Sequence, residues 1–210
     1  MPDGAARRAR LHGLYAIVAR PEEARAAIEG GAGVLQVRVK DAPSGEVLRT
    51  AREVVALAAG RALVLVNDRA DLALLSGADG VHVGDEDLPP SEARRLLGPD
   101  LLVGRTTRTL AEARAAIGEG ADHVGFGPIF ATRTKALAVA PRGVEALREV
   151  AAALGAPVVA IGGIGADTIG TVAGAGAACA AVVGAIFGAG DPVLNARRLA
   201  DAFAGGRRGP

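Results

Sequence analysis

The stretch LQVRVK (residues 35–40) decides the fold, because it alternates strictly between apolar and polar side chains. This period of two predicts a β-strand. Around it, short apolar runs alternate with helical patterns, which is typical of a parallel sheet buried on both faces. The strands of such a sheet are normally apolar throughout. The positions of Gln36, Arg38 and Lys40 therefore need an explanation.

Eight strand-like runs recur along the chain, at residues 14–19, 34–40, 62–67, 80–84, 101–106, 123–130, 157–163 and 179–187. Eight βα units of about 25 residues each predict an α/β protein with a single (β/α)8 TIM barrel. This one domain would span residues 1–210, with a core at about 13–204 and loose ends. A doubly wound sheet is the alternative, but it would require a glycine fingerprint after the first strand, which the sequence lacks.

The barrel explains the polar side of LQVRVK. One face of each barrel strand meets the helices and the other points to the barrel axis. Leu35, Val37 and Val39 would then pack under helices, and the polar residues between them would line the inner wall toward the mouth. The alternative is an edge strand with a solvated face.

The charge balance gives no reason to expect a polyanionic partner. The chain has 24 basic and 23 acidic residues and a formal charge of +1, so we expect no nucleic-acid and no membrane partner. Cys179 is the only cysteine and lies in an apolar run, which favours a buried structural thiol over a nucleophile. No apolar stretch reaches the roughly 20 residues that span a bilayer, so we expect a cytoplasmic protein. The sequence leaves the oligomeric state open, a homo-oligomer included.

Glycines follow the last two predicted strands. Gly162 and Gly163 come after strand 7, and Gly184 lies near the end of strand 8. Loops at these places in a TIM barrel commonly bind a phosphate through backbone N–H groups. The sequence therefore predicts a monophosphate site there, unless these glycines only make turns.

Acidic residues follow strands 3 and 4. Asp68 and Asp87 would meet from adjacent loops, and two carboxylates suit Mg²⁺, which also keeps waters and binds phosphate oxygens. Asp68 could instead cap the helix that follows it. His82 lies between these acids, but we expect it to be a satisfied histidine of the barrel wall.

Cations from distant parts of the chain would converge at the same mouth. Arg38, Lys40 and Lys135 beside a carboxylate-bound Mg²⁺ would suit a diphosphate whose departure needs charge neutralisation. Thr132 and Thr134 lie next to Lys135, which favours an ordered lid or anion clamp over a mobile surface lysine.

The ordered motifs resemble those of the thiamine phosphate synthase family, a (β/α)8 barrel. They are QVRVK, ND at 67–68, GVHVGDEDLP, GPIFATRTK, PVVAIGGI and VVGAIFGAGDP, over roughly residues 13 to 195. The resemblance implies a transferase of thiamine biosynthesis that joins an aminopyrimidine diphosphate to a thiazole phosphate with Mg²⁺ and releases pyrophosphate. It also implies a dissociative mechanism through a pyrimidine methylene cation.

The resemblance assigns roles by position. The catalytic cations would be Arg38, Lys40 and Lys135, and the metal ligands Asp68 and Asp87. Gln36, Arg38 and Lys40 would contact the pyrimidine substrate and its diphosphate, with Asn67 beside them and Thr106 in the pyrimidine pocket. The other substrate-binding residues would be Thr132, Thr134, Lys135, Gly162, Gly163, Val183 and Gly184.

The chain departs from the family pattern after strands 5, 6 and 8. In GRTTRT (104–109), Thr106 stands at a usual Ser and Arg108 at a usual His, while Ala131 replaces a usual Pro and Gly184 a usual Ser. Two other functions stay open. The related thiazole tautomerase carries a His where this chain has Pro128, and a non-catalytic relative would bind the phosphates without turnover.

Overall fold

A computed structural model describes residues 3–132 and 140–207, and its eight parallel strands form a closed barrel. Neighbours in the chain pair in order, and the last strand returns to the first, with Gly13 opposite Cys179. The predicted TIM barrel is confirmed. The strands are β1 (Gly13–Val18), β2 (Val34–Val37), β3 (Leu63–Asn67), β4 (Gly80–Val83), β5 (Leu102–Thr107), β6 (His123–Phe126), β7 (Val158–Ile161) and β8 (Cys179–Val182).

One helix precedes β1, and the other helices follow strands and cover the outside of the barrel. They are α1 (Gly4–Ala9), α2 (Pro21–Glu29), α3 (Ser44–Ala58), α4 (Ala70–Ser76), α5 (Pro90–Leu97), α6 (Leu110–Gly118), α7 (Gly143–Leu154), α8 (Ala166–Gly174), α9 (Gly184–Phe187) and α10 (Pro192–Arg207). Within residues 3–132 and 140–207, none of them has the length and apolar character needed to cross a bilayer.

Two apolar layers hold the barrel together. The larger one joins strands to helices and contains Leu35 and Val37. The smaller one fills the barrel axis and consists of strand residues with Leu11, among them Tyr15 and Val34. Val34 and Leu35 therefore face opposite sides of β2, as the period-two pattern predicts, and Gln36 is buried on the same side as Val34.

Three strands end at least three residues earlier than predicted. β2 ends at Val37 rather than residue 40, although the Arg38 N–H still donates to the Val18 carbonyl at 2.8 Å. β6 ends at Phe126, because Pro128 follows with no N–H to donate to a ladder. Residues 184–187, predicted as strand, form α9 instead. At all three places the chain leaves the sheet where the mouth of the barrel begins.

The described part of the N-terminal segment is helical, although we expected this segment to be loose. Residues 4–9 form α1, and Arg7 is only 3% exposed, with its Nε 3.0 Å from an Asp79 carboxylate oxygen. Arg8 donates to Asp122 at 2.7 Å, and the same buried carboxylate accepts the Val103 N–H at 2.8 Å and pairs with Arg94. This helix therefore closes the end of the barrel opposite the mouth. At the other end of the chain, α10 continues in helical form to residue 207.

The buried Asp122 carboxylate joins α1, α5 and β5. We expect Asp122→Ala to lower the free energy of unfolding by about 3–5 kcal/mol, because a buried N–H would lose its acceptor and two arginines would lose their charged partner. Urea unfolding measures the change. Glu92→Ala, which breaks the exposed pair with Arg95, is the control and should change the value by less than about 1 kcal/mol. Equal effects of the two substitutions would contradict this account.

Candidate active site

The loop after β3 aims an acidic side chain at the barrel mouth. Asp68 adopts the left-handed conformation, with φ at 63°, and its N–H donates to the His82 carbonyl at 2.8 Å. Asn67 donates from its side-chain amide to the Asp68 carboxylate. The cap position of α4 is Arg69, with no side-chain cap bond, so Asp68 is not the N-cap of that helix. The alternative role for Asp68 is therefore wrong.

Asp68 and Asp87 meet across adjacent loops, as predicted. The Asp87 carboxylate accepts the Gly84 N–H at 2.7 Å and lies within hydrogen-bonding reach of Asp68. The pKa of Asp68 is raised to about 6, mainly by burial and then by the neighbouring Asp87, while Arg38 and Asn67 partly offset both effects. Two ionised, half-buried carboxylates within hydrogen-bonding reach of each other repel, and a bound cation would relieve the repulsion.

The donor set fits a magnesium ion better than a transition metal. Among the described residues, no group of three or more His, Cys, Asp or Glu side chains is arranged to hold a metal. Mg²⁺ uses one or two carboxylates and completes its shell with water and substrate phosphate oxygens. Asp68 and Asp87 would supply that number of ligands.

Only part of the expected cation cluster can be described. Arg38 is half-buried just beyond β2 and is close enough to Asp68 to lower its pKa. Lys40 is exposed in the loop that follows. Thr132 is half-buried at the end of the first described segment, whereas Thr134 and Lys135 lie outside the described residues. The structure thus brings one of the three predicted cations to the carboxylates.

Gln36 lies deeper in the barrel than a rim residue would. Its side chain is buried, and its amide nitrogen donates to the Tyr15 hydroxyl at 2.8 Å. Burial raises the pKa of the Tyr15 phenol, which keeps the hydroxyl protonated. Sequence reasoning missed Tyr15, although its place opposite Val34 on the neighbouring strand could have indicated it.

Thr106 contacts a histidine rather than standing alone. Its hydroxyl is 3.0 Å from the His82 Nε2, and the His82 ring centre is 5.6 Å from that of His123. Burial lowers the pKa of His82 to about 3 and that of His123 to about 4, so both rings are neutral. His82 lies inside the barrel as expected, but its Nδ1 and both ring nitrogens of His123 lack protein partners among the described residues.

The glycines after β7 have conformations that other residues resist. Gly162 has φ at 100° and Gly163 at 65°, and a Cβ on Gly163 would lie 2.4 Å from the Ala131 carbonyl oxygen. A Cβ on Gly184 would instead meet nothing within 4 Å. Val183 is the N-cap of α9. Gly162 and Gly163 are therefore needed for the conformation of the turn after β7. At Gly184 there is instead open space in the direction of a side chain.

Two arginines near the end of β5 were not anticipated as parts of the site. Arg105 Nη1 donates to the Gly84 carbonyl at 2.6 Å, and Arg108 forms an ion pair with Asp85. Both contacts fall on the loop that carries Asp87. The motif GRTTRT shows the two arginines, but their partners depend on how β4 and β5 are paired.

Comparison with known proteins agrees with this geometry. The family model described as thiamine monophosphate synthase matches residues 14–186. A thiamine-phosphate synthase of Anaeromyxobacter dehalogenans is 69% identical over 97% of this chain and 93% of its own length. One of Myxococcus xanthus is 51% identical over 90% of this chain and 87% of its own.

A solved structure gives the same result. The thiamine phosphate pyrophosphorylase of Pyrococcus furiosus superposes with a TM-score of 0.85 at 35% identity, covering 94% of this chain and 97% of that one. The 3-hexulose-6-phosphate synthase structure, at 19% identity and a TM-score of 0.65, shares the fold.

The neutral His123 makes stability depend on pH. An unfolded histidine has a pKa near 6.5 and the folded His123 about 4, so the unfolded state binds the proton first as pH falls. The stabilisation is complete above about pH 6.5 and is lost as pH falls toward 4. From pH 7.5 to 5.0 we expect His123 to account for a loss of about 2 kcal/mol.

Urea unfolding of wild type and His123→Gln at the two pH values measures this contribution as a difference between variants. His12→Gln changes an exposed histidine and serves as the control. The prediction fails if His123→Gln loses as much stability on acidification as the wild type.

Proposed function

The chain belongs to the thiamine monophosphate synthase family and is a transferase that forms thiamine phosphate, and we propose that its barrel mouth promotes departure of a diphosphate from an aminopyrimidine substrate. The second substrate is a thiazole phosphate, whose nitrogen attacks the pyrimidine methylene carbon. One C–N bond forms, one C–O bond breaks, and pyrophosphate leaves with the electron pair of the broken bond.

The single observation that carries the mechanism is the contact between Asp68 and Asp87 at the mouth, with Arg38 beside them. Bound there, Mg²⁺ would neutralise charge on the departing pyrophosphate. Arg38 adds a fixed positive charge on the same side, and Asn67 holds the Asp68 carboxylate in place. These groups stabilise charge that grows during the reaction, which is where electrostatic catalysis is most effective.

The remaining family positions supply binding. Gln36, Thr106 and Asn67 hold the pyrimidine and its diphosphate, with Lys40 at the exposed rim. The backbone at Gly162, Gly163, Val183 and Gly184 receives the thiazole phosphate. By the family resemblance, Thr132, Thr134 and Lys135 bind the phosphates, and of these Thr134 and Lys135 lie outside the described residues.

No protein nucleophile is needed for this route. Cys179 is fully buried in the barrel, as the sequence predicts, and burial raises the pKa of its thiol to about 12. Pro128 stands where the related tautomerase has a histidine, and its side chain carries no proton to transfer. A dissociative transfer requires only that the charge on the leaving pyrophosphate is stabilised and that the two substrates are positioned.

The direct test mixes purified protein with the aminopyrimidine diphosphate, the thiazole phosphate and Mg²⁺, and measures thiamine phosphate and pyrophosphate. Both products should form in equal amounts and only with the divalent cation present. Product formation that is undiminished in excess chelator would contradict the metal assignment. The absence of both products would contradict the function.

The Asp68 carboxylate should destabilise the metal-free protein. Its raised pKa means that the folded state binds a proton more tightly than the unfolded state, so stability falls as pH rises through about 6. We expect Asp68→Asn to raise the metal-free Tm at pH 7.5 by about 2–4 °C. In this variant Mg²⁺ should no longer raise the Tm as it does in the wild type. Turnover should fall about 100-fold.

Differential scanning fluorimetry with and without Mg²⁺ measures the thermal effects, and the product assay measures turnover. Asp201→Asn, an exposed change on α10, is the matched control and should behave as wild type. A lower metal-free Tm in Asp68→Asn, or an unchanged response to Mg²⁺, would contradict the assignment.

A further inference from the structure

The loop between β4 and α5, residues 84–89, determines where Asp87 lies. Within this loop the Asp87 carboxylate accepts the Gly84 N–H at 2.7 Å, and the Asp87 N–H donates to the Gly84 carbonyl at 3.3 Å. Asp85, Glu86 and Leu88 are exposed. Any displacement of Gly84 would therefore carry the Asp87 carboxylate with it, away from Asp68.

Two arginines reach this loop from β5 and its end. Arg105 Nη1 donates to the Gly84 carbonyl at 2.6 Å, and the Arg108 guanidinium pairs with the Asp85 carboxylate. The Gly84 carbonyl oxygen thus accepts two hydrogen bonds, one from Arg105 outside the loop and one from the Asp87 N–H within it. The charges of the two arginines also offset part of the negative charge that Asp85, Glu86 and Asp87 concentrate in the loop.

Arg108 is itself held in place. Its backbone N–H donates to a Glu112 carboxylate oxygen at 2.6 Å, and the Glu112 N–H donates to the Thr109 hydroxyl at 3.1 Å, which caps α6. The Arg108 side chain is 20% exposed, so its ion pair is partly shielded from water. The Asp85 side chain is 41% exposed, so the shielding and the anchoring come from the Arg108 side, and such a pair is stronger than one between two fully exposed side chains.

We propose that Arg105 and Arg108 are positioning residues that fix the β4–α5 loop, so that Asp87 is held beside Asp68 for the cation. This inference rests on the proposed function, because it concerns the same metal site. Residues that hold metal-binding carboxylates in place commonly change metal affinity by 10- to 100-fold when they are removed.

The experiment compares Arg108→Ala, Asp85→Ala and the double variant with wild type. The Mg²⁺ concentration at half of the maximal Tm increase, measured by scanning fluorimetry, should rise about 10-fold in each single variant. The double variant should be no worse than either single one, because all three lose the same contact. Arg108→Lys, which keeps the charge, should recover part of the affinity.

A kinetic readout separates positioning from direct substrate contact. In Arg108→Ala the Mg²⁺ concentration for half-maximal activity should rise, while KM for both organic substrates at saturating Mg²⁺ stays as in wild type. Arg95→Ala removes an exposed arginine that pairs with Glu92 on α5, and it is the matched control. It should leave both quantities unchanged.

Three outcomes would overturn the inference. Arg108→Ala could match Arg95→Ala in its response to Mg²⁺, which would leave the proposed function intact. A higher KM for the diphosphate substrate with unchanged Mg²⁺ dependence would make Arg108 a substrate contact instead. A wild type that neither responds to Mg²⁺ nor makes product would remove the proposed function, and the positioning role with it.

Discussion

The pairing of β8 with β1 is the constraint on which the rest of the structure depends. Because the sheet closes on itself, every strand has one face toward the helices and one toward the axis, and all eight carboxyl ends meet in one ring. Within that ring, the pairing of β3 with β4 brings Asp68 and Asp87 together although nineteen positions separate them in the chain. The pairing of β1 with β2 places Tyr15 against Gln36 inside the barrel. An open sheet would keep these neighbouring pairs but would separate β1 from β8, and its strand ends would then form a line instead of a ring.

Among the described residues, the negative charge of the Asp68 and Asp87 carboxylates is only partly balanced, which suits a cation-dependent reaction. The Asp68 and Asp87 carboxylates share one small space, and Arg38 offsets only part of their repulsion. The histidines beneath them stay neutral, since burial lowers the pKa of both rings, and so they add no positive charge. In the mechanism that we propose, a divalent ion that arrives with a diphosphate would supply the remaining compensation, which would couple occupation of the site to the presence of substrate.

Much of the fold and part of the site could be read from the sequence. The alternation in residues 35–40 correctly predicted the faces on which Leu35 and Gln36 lie, because successive side chains of a strand point to opposite faces whichever strand it pairs with. The meeting of Asp68 with Asp87 followed from strand order alone. Strand ends were less predictable, because apolar residues such as those at 184–187 suit a helix as well as a strand. The helix at residues 4–9 was missed because Arg7 and Arg8 look like solvent residues until Asp79 and Asp122 are placed beneath them.

Contacts inside the barrel restrict the position of the Thr106 side chain, which stands where the family usually has serine. Its hydroxyl is bonded to His82, and a β-branched side chain has few rotamers, so the oxygen is held in one place. A hydroxyl has one proton and two lone pairs, which leaves capacity for a second partner toward the mouth. His82 keeps its own position because Gly104 lacks a side chain: a Cβ there would lie 2.6 Å from the His82 Nδ1 and 2.3 Å from the His123 Nε2. A larger residue at 104 would displace both rings, and through His82 it would move the Thr106 hydroxyl, which we propose as a substrate contact.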